Sequence, residues 1–392
     1  RYANQGTVTP DHAIRIKSKP LILNQDFYNN EGDFYAYLKK SLKKYIKEYD
    51  AYFSKNNSKY GYKRKKLDPL PRMVVIPGIG VYAIAEDYNK LKIVEDLVDC
   101  YCSVIIDAEH VGKFKSISKK DLFDIEYWPL EQAKLSSKTK KTLTGHIVVI
   151  TGGAGEIGKA TAIAFKDSGA EVVLLDVNPE RLKKISIELN VHSFVCDVTN
   201  KKDIDYTFNK IVKKLGGLDI LVSNAGAAWQ GRIGDVDEKI MNNSFDLNFY
   251  SHQRVSQTAI KIMQNQKLGG SLLYNVSKQS LNPGLDFGPY GIPKTSTLAL
   301  MRQYAIDHGH EGIRANAVNA DRIRSGLLTN EMISKRAKKR GLNPNEYMKG
   351  NLLHREVKAY DVAQAFLYLS QAESTTAAVI SVDGGNIAAA VR

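Results

Sequence analysis

The chain has 392 residues, 43% hydrophobic and 25% charged, which is material for two or three folded units. No apolar run approaches the roughly 20 residues that a membrane-spanning helix needs, so no membrane partner is expected. Three scattered cysteines, Cys100, Cys102 and Cys196, argue against a zinc site and suit a reducing, cytoplasmic compartment.

The net charge of +14 raises nucleic acid as a partner. The lysines are spread out, however. Residues 1–140 hold 25 Lys/Arg against 18 Asp/Glu, so about half of the excess falls in each part of the chain. This reads as a solvated surface, and no nucleic-acid partner is expected. The chain opens on Arg1 without a signal-peptide pattern, which reads as a fragment or a processed product.

Residues 1–30 read as irregular, with Pro10, Pro20 and several asparagines. Over 33–53, Phe34, Leu38, Leu42, Tyr45, Ile46, Tyr49 and Phe53 recur at helical spacing. The basic run Lys63-Arg64-Lys65-Lys66 precedes Pro69 and Pro71 and reads as a solvated loop. Met73–Ile76 followed by Pro77-Gly78 reads as a strand stopped by a turn. Leu91, Val94, Leu97, Val98, Tyr101 and Ile105 mark a second amphipathic helix within 86–109. A polar, basic stretch at 135–144 has a linker's composition and divides an N-terminal segment, 1–140, from 141–392. His308 and His310 flank a glycine with no third ligand nearby, so no metal site is expected.

After the linker, short apolar runs alternate with helical patterns, as in β-α-β units around a parallel sheet. His146–Ile150 is an apolar strand, followed by Thr151-Gly-Gly-Ala-Gly-Glu-Ile-Gly158 and a helical run. A second strand, Glu171–Leu175, ends in Asp176. This order suits a dinucleotide. Gly152, Gly155 and Gly158 let the backbone approach a pyrophosphate, and the helix start at Glu156 and Ile157 offers N–H groups and a positive dipole. Asp176 would accept the ribose hydroxyls. A carboxylate there repels a 2′-phosphate, the next residue is Val177 rather than Arg, and 151–157 holds no cation. The expected cofactor is therefore NAD. A third strand end brings Asp197 and Val198 to the adenine side. A fourth ends in Asn224-Ala225-Gly226, small enough for close approach, and a fifth ends in Ser277. The expected fold is α/β: a Rossmann-type doubly wound parallel sheet with helices on both faces, preceded by a small, mostly helical α+β segment.

Tyr290 and Lys294 stand at i and i+4 in Y-G-I-P-K and share a helix face. Pro293 is expected in the first helical turn, where its missing N–H has no partner to lose. Alone, the pair also fits a solvated helix face.

Together, TGGAGEIG (151–158), SNAG (223–226), Asn248 in SFDLN, Ser277 and Tyr290/Lys294 resemble the short-chain dehydrogenase/reductase superfamily over about residues 143–392. The thirteen-residue Ser277–Tyr290 spacing, IRANAVN (313–319) and VDGG (382–385) agree with it. GTVTPDHAIRIK (6–17), MVVIPGIGVYAI (73–84) and DIEYWPLEQAKL (124–135) resemble the middle part of bifunctional aldolase/short-chain dehydrogenase fusions. That resemblance implies deoxysugar breakdown of the rhamnose or fucose type, with lactaldehyde oxidation, and an aldolase domain or subunit as a partner. The family's aldolase histidines lie upstream of such a segment, and His12 does not replace them, so no aldolase activity is expected of this chain. Two departures stand out: Glu156 replaces a glycine of the turn, and Ala320-Asp321 replaces Pro-Gly.

The chemistry expected is hydride transfer. Tyr290 acts as general acid/base, Lys294 lowers its pKa and binds the nicotinamide ribose, and Ser277 donates to the substrate oxygen. The resemblance implies that Asn248 holds a water through a helix kink. Lys278, Trp229, Gln230 and Arg322 are candidate substrate contacts, and 326–355 reads as a helical lid. The expected function is an NAD-dependent dehydrogenase for a small hydroxylated, carbohydrate-derived substrate: lactaldehyde, a polyol, or a sugar phosphate such as sorbitol 6-phosphate. The alternative is a non-catalytic NAD-binding scaffold for an aldolase. A homodimer or homotetramer is implied by resemblance.

Overall fold

Thr9 accepts from the His12 N–H and Pro10 occupies the first turn, so a short helix, α1 (Pro10–Arg15), forms inside the segment that composition marks as irregular. The computed structural model describes residues 4–24, 31–135 and 140–386. It divides into two compact units, 1–140 and 141–392. Residues 136–139 of the expected linker lie outside the described residues, as do 1–3 and 25–30 of the expected irregular segment.

In the first unit, β1 (Leu21–Ile22) is followed by α2 (Glu31–Asn57), β2 (Met73–Ile76), β3 (Gly80–Ala83), α3 (Tyr88–Val111), α4 (Lys119–Glu126) and α5 (Pro129–Ala133). Strand β2 pairs parallel with β1 and antiparallel with β3. The apolar stripe of α3 closes on the sheet through Met73, Val94, Val98, Tyr101 and Ile105. Tyr45 of α2 packs with Leu21, Leu23 and Val74. His12 is buried with both ring nitrogens engaged, Nδ1 at 2.7 Å from Thr9 Oγ1 and Nε2 at 2.9 Å from the Leu97 carbonyl. It is a structural histidine.

The second unit alternates strands and helices throughout. Its strands are β4 (Ile147–Thr151), β5 (Glu171–Asp176), β6 (His192–Val195), β7 (Ile220–Ser223), β8 (Gly270–Ser277), β9 (Ile313–Ala320) and β10 (Val379–Val382). All pair in parallel, in the order β10-β9-β8-β7-β4-β5-β6. The winding reverses between β4 and β7, and in such sheets ligands bind beyond the carboxyl ends of the strands at that switch point. Helices α6 (Glu156–Asp167), α7 (Pro179–Leu189) and α14 (Ala359–Gln371) pack together on one face. Helices α8 (Lys201–Leu215), α10 (Ser251–Gln266) and α11 (Gly288–His308) pack on the other. Between β7 and α10 lies α9 (Glu238–Phe245), and between β9 and α14 lie α12 (Asn330–Lys338) and α13 (Pro344–Met348). The core runs through Val148, Ile150, Phe165, Val172, Leu174, Val222, Leu273 and Phe366. The doubly wound α/β sheet expected from the alternation is therefore the fold. No described helix is long and apolar enough to cross a membrane.

Candidate active site

The strand ends β4, β5, β7 and β8 converge on one cleft. Gly152 turns with φ +64°, and a Cβ there would stand 3.0 Å from the Ala225 backbone. A Cβ on Gly158 would meet the Gly152 carbonyl at 2.3 Å, so only glycine lets α6 start this close to the turn. Helix α6 begins at Glu156 with Gly155 as N-cap, and Glu156 is exposed. Ile157 packs against the core. Asp176 Oδ2 accepts from Ala154 N at 3.0 Å and Oδ1 from Asn178 N at 3.0 Å, while Val177 is exposed. Asp197 accepts from Thr199 N at 2.9 Å, and Val198 beside it is buried.

Thr151 Oγ1 accepts from both Asn224 N (2.9 Å) and Ala225 N (3.0 Å), which ties β7's exit to the glycine turn. Asn224 Nδ2 donates to the Thr151 carbonyl, and its Oδ1 accepts from Asn275 Nδ2 at 2.8 Å. Gly226 faces Asn248 and Lys294: a Cβ there would be 2.9 Å from Asn248 Oδ1 and 3.3 Å from Lys294 Nζ.

Asn248 is fully buried in a π-helical turn, Asp246–Tyr250, between α9 and α10. Such turns concentrate at functional sites. Its side chain donates to the Ala227 carbonyl at 2.8 Å and to Ser244 Oγ at 3.0 Å, and its carbonyl accepts from Thr297 Oγ1 at 2.6 Å.

Ser277 ends β8 and is hydrogen-bonded to the Tyr290 hydroxyl; its Oγ also accepts from Gln279 N at 3.3 Å. Tyr290 lies in the first turn of α11. Pro293 does not: the helix opens at Gly288-Pro289, so Pro293 is in the second turn and interrupts the bond to the Pro289 carbonyl. The expected start was too late because Pro289 already fills the early position.

The electrostatics also differ from expectation. Burial pushes the Tyr290 phenol above its ordinary value, and the bond to Ser277 pulls it back only in part. Lys294 directs its Nζ to the Asn275 carbonyl at 2.9 Å and toward His252 Nε2 at 3.2 Å, and burial takes its pKa down to about 7. Desolvation therefore dominates at both groups.

Two candidate substrate contacts are engaged elsewhere. Lys278 forms a buried ion pair with Asp383 Oδ2 at 3.0 Å. Arg322, with φ +52°, donates to the Tyr347 carbonyl at 2.7 Å, lies over the Tyr347 ring and faces Asp321. Both cations thus already have partners within the protein, as a charge taken out of water requires. Trp229 is partly buried and Gln230 exposed after the SNAG turn. The next residue, Gly231, bonds across to Asp286 O at 2.8 Å, which brings this loop to the mouth of α11. The region 326–355 does carry helices α12 and α13, joined by Leu328, Ile333, Ala337, Tyr347 and Met348. Within it, Arg336 lies over the Phe287 ring and Arg340 over the Tyr347 ring. Sequence reasoning missed His252, Asn275 and Asp383. Only Asp383 carried a signal, as part of VDGG. Among the described residues no His/Cys/Asp/Glu cluster could hold a metal ion.

Comparisons with known proteins agree with this geometry. Residues 152–386 match the family described as enoyl-(acyl carrier protein) reductase, and residues 1–135 match aldolase class II, second domain. "Uncharacterized oxidoreductase YuxG" of Bacillus subtilis (strain 168) is 30% identical over 404 residues, which cover 99% of this chain and 58% of that protein. The chain thus spans little more than half of that relative's length. An "Uncharacterized oxidoreductase" of Thermotoga maritima is 32% identical over 261 residues, 62% of this chain and 98% of that protein. The solved short-chain type dehydrogenase/reductase from Mycobacterium ulcerans superposes with a TM-score of 0.58 at 27% identity, over 63% of this chain and 91% of that one. The sheet order, the glycine turn and these matches place the chain in the short-chain dehydrogenase/reductase family of oxidoreductases, with an aldolase class II second domain on its N-terminal side.

Proposed function

We propose that the chain is an NAD-dependent dehydrogenase for a small, uncharged, hydroxylated substrate derived from carbohydrate, such as lactaldehyde or a polyol. The observation that carries this reading is the Ser277–Tyr290 hydrogen bond, made at the carboxyl end of β8 with Lys294 one helical turn on.

The cleft's residues fit a dinucleotide. The glycine turn leaves room that a Cβ at Gly152 or Gly158 would fill. The α6 N-terminus supplies free N–H groups. Asn275 Oδ1, beside Asn224, is buried with no partner among the described residues. Gly152, Gly155, Gly158, Asp176, Asn224 and Lys294 would hold the cofactor, with Asp197 and Val198 toward the adenine. When bound, it accepts or supplies the hydride. The carboxylate of Asp176 supports NAD over NADP.

In alcohol oxidation, Ser277 donates a hydrogen bond to the substrate oxygen and Tyr290 takes its proton. When protonated, Lys294 stabilises the phenolate electrostatically, and the positive ring of an oxidised nicotinamide would add to that. Asn248 braces the turn after Gly226 through Ala227. Since Lys278 and Arg322, the cationic candidates for substrate contact, are paired within the protein, a neutral polyol or hydroxyaldehyde fits better than a sugar phosphate. Trp229 and Gln230 remain the substrate-side candidates. The aldolase-type segment supports a place in deoxysugar breakdown. A cytoplasmic homodimer or homotetramer is the proposed form.

A screen of polyols, hydroxyaldehydes and their phosphates with NAD and NADP, following reduced-cofactor absorbance, tests the reading. Turnover is expected with NAD and a neutral substrate. Tyr290→Phe should abolish turnover while NAD still protects the protein against heat. Full activity in that variant removes the assignment, and NAD protection without turnover on any substrate favours the scaffold alternative.

A further inference from the structure

A second buried hydrogen-bond chain lies behind the Ser277–Tyr290 pair, and the proposed chemistry does not use it. His252, on α10, is fully buried. Its Nδ1 lies 2.6 Å from Ser223 Oγ at the end of β7, and its Nε2 lies 3.2 Å from Lys294 Nζ on α11. The Asn275 carbonyl accepts from the same Nζ at 2.9 Å. Three consecutive sheet-facing elements therefore meet at one ammonium.

The protons can be assigned from the donor inventory. A lysine ammonium has three N–H donors and no acceptor. His252 Nε2 must then accept, which leaves Nδ1 protonated and donating to Ser223 Oγ. A neutral imidazole is the form that both contacts require. The groups that face it agree. Lys294 on α11 repels a proton, and burial holds the imidazole well below its usual titration range. From β8, Tyr274 faces it at 6.2 Å between ring centroids, and that hydroxyl is engaged with Ser256 Oγ at 2.7 Å. Two of the three ammonium donors are thus taken by Asn275 and His252, and one remains. Gly226 keeps the space beside Nζ open, since a Cβ there would stand 3.3 Å from it.

We propose that His252 is a positioning residue: held by Ser223 in its Nδ1–H tautomer, it accepts from Lys294 and aims the remaining ammonium N–H toward the cofactor ribose and Tyr290. This rests on the functional reading above for its consequence, and on the three distances alone for its geometry. Asn275 and His252 fix the amine's direction in the way that second partners orient a metal-bound histidine.

Two measurements test it. In the ¹⁵N-histidine-labelled full chain, the His252 resonances, assigned by their loss in His252→Gln, should show an unprotonated Nε2 and a protonated Nδ1 at pH 6, where Lys294 is an ammonium. The Nε2 resonance should move in Lys294→Met. A protonated Nε2, or one indifferent to Lys294→Met, overturns the proposal whether or not a substrate is known. In turnover, His252→Phe should lower kcat by about 10- to 100-fold, the scale for a misplaced reacting group. Its alcohol-oxidation profile should also move to higher pH, because the lysine then loses an acceptor that favours its charged form. His252→Gln places a carbonyl oxygen where Nε2 was and should recover most of the rate. Equal loss in both variants, or normal turnover with an unmoved profile in His252→Phe, overturns it. If the wild-type chain itself turns over no alcohol, the functional reading falls, and the tautomer measurement still decides the geometry.

Discussion

The Lys278 ammonium lies 3.0 Å from the Asp383 carboxylate, and both side chains are at most 10% exposed. The pair locks the exit of β8 to the exit of β10. Burial alone would raise Asp383, but the bond from Lys278 and the Gly385 backbone N–H outweigh it and hold the carboxyl below its usual range. Lys278→Met leaves a buried charge without its partner and should destabilise the second unit by about 3–5 kcal/mol. A Lys278→Met/Asp383→Leu double variant should regain much of that. The sign with pH follows from the lowered carboxyl: its contribution is present above the unfolded value near 4 and is lost as pH falls through the folded one. Urea denaturation at pH 7 should therefore separate the single variant from wild type more than at pH 4. Unchanged stability with a raised KM would return Lys278 to the substrate pocket.

Ser277 and Tyr290 make a second prediction. The hydroxyl bond lowers the Tyr290 phenol against the upward push of burial. Ser277→Ala removes it, so the phenolate forms only at higher pH. Alcohol oxidation at pH 7 should fall by about 100- to 10,000-fold, the range for a general-base contribution. Its rising limb should shift to more alkaline pH. Carbonyl reduction, which needs the protonated phenol, should instead persist to higher pH, its falling limb moving in the same alkaline direction. A profile that falls uniformly without shifting would mean that Ser277 only orients substrate.

The β-α-β fold around the glycine turn was legible because its determinants are local. Glycines, a helix start and the strand-ending Asp176 lie within one β-α-β unit, and the parallel register then delivers Asn224 and Ser277 to the same edge. The misreadings were long-range. Nothing near Lys278 announces Asp383, and nothing near Arg322 announces the Tyr347 carbonyl. His252 sits in a polar run, SHQR, with no apolar signal, yet it is fully buried just after the π-turn at Asn248. In the first unit, β1 is two residues long and gives no periodic signal; it exists because β2 pairs with it.

Asp176 makes the third prediction. Its carboxylate is fixed by Ala154 and Asn178 N–H groups at 3.0 Å, so it cannot swing away from a 2′-phosphate without breaking the turn. Asp176→Asn keeps an acceptor for one of these bonds and removes the charge. The NADP-to-NAD ratio of kcat/KM should rise by about 10- to 100-fold, equivalent to about 1.4–2.8 kcal/mol. Adding Val177→Arg, at an exposed neighbour, should raise it further. An unchanged ratio would remove Asp176 from the ribose site.

Lys294 carries the last prediction, because its activity and its stability should move in opposite directions. Burial takes the ammonium from the ordinary lysine range to about 7, despite the acceptors at Asn275 and His252. Between about pH 7 and 10 the unfolded chain then binds more protons than the native one, so stability rises with pH across that window. Below it, the native state holds a buried charge that the unfolded state keeps in water. Lys294→Met removes that charge while filling a similar volume. It should raise the unfolding free energy at pH 6 by on the order of a few kcal/mol, at about 1.4 kcal/mol per pKa unit, seen as a higher melting temperature, and the difference should shrink toward pH 10. Turnover should be lost in the same variant, a trade of activity against stability common where a site holds an unfavourable charge. Thermal denaturation of both proteins from pH 6 to 10 decides it. A variant less stable than wild type at every pH would mean that the two acceptors fully compensate the burial of Lys294.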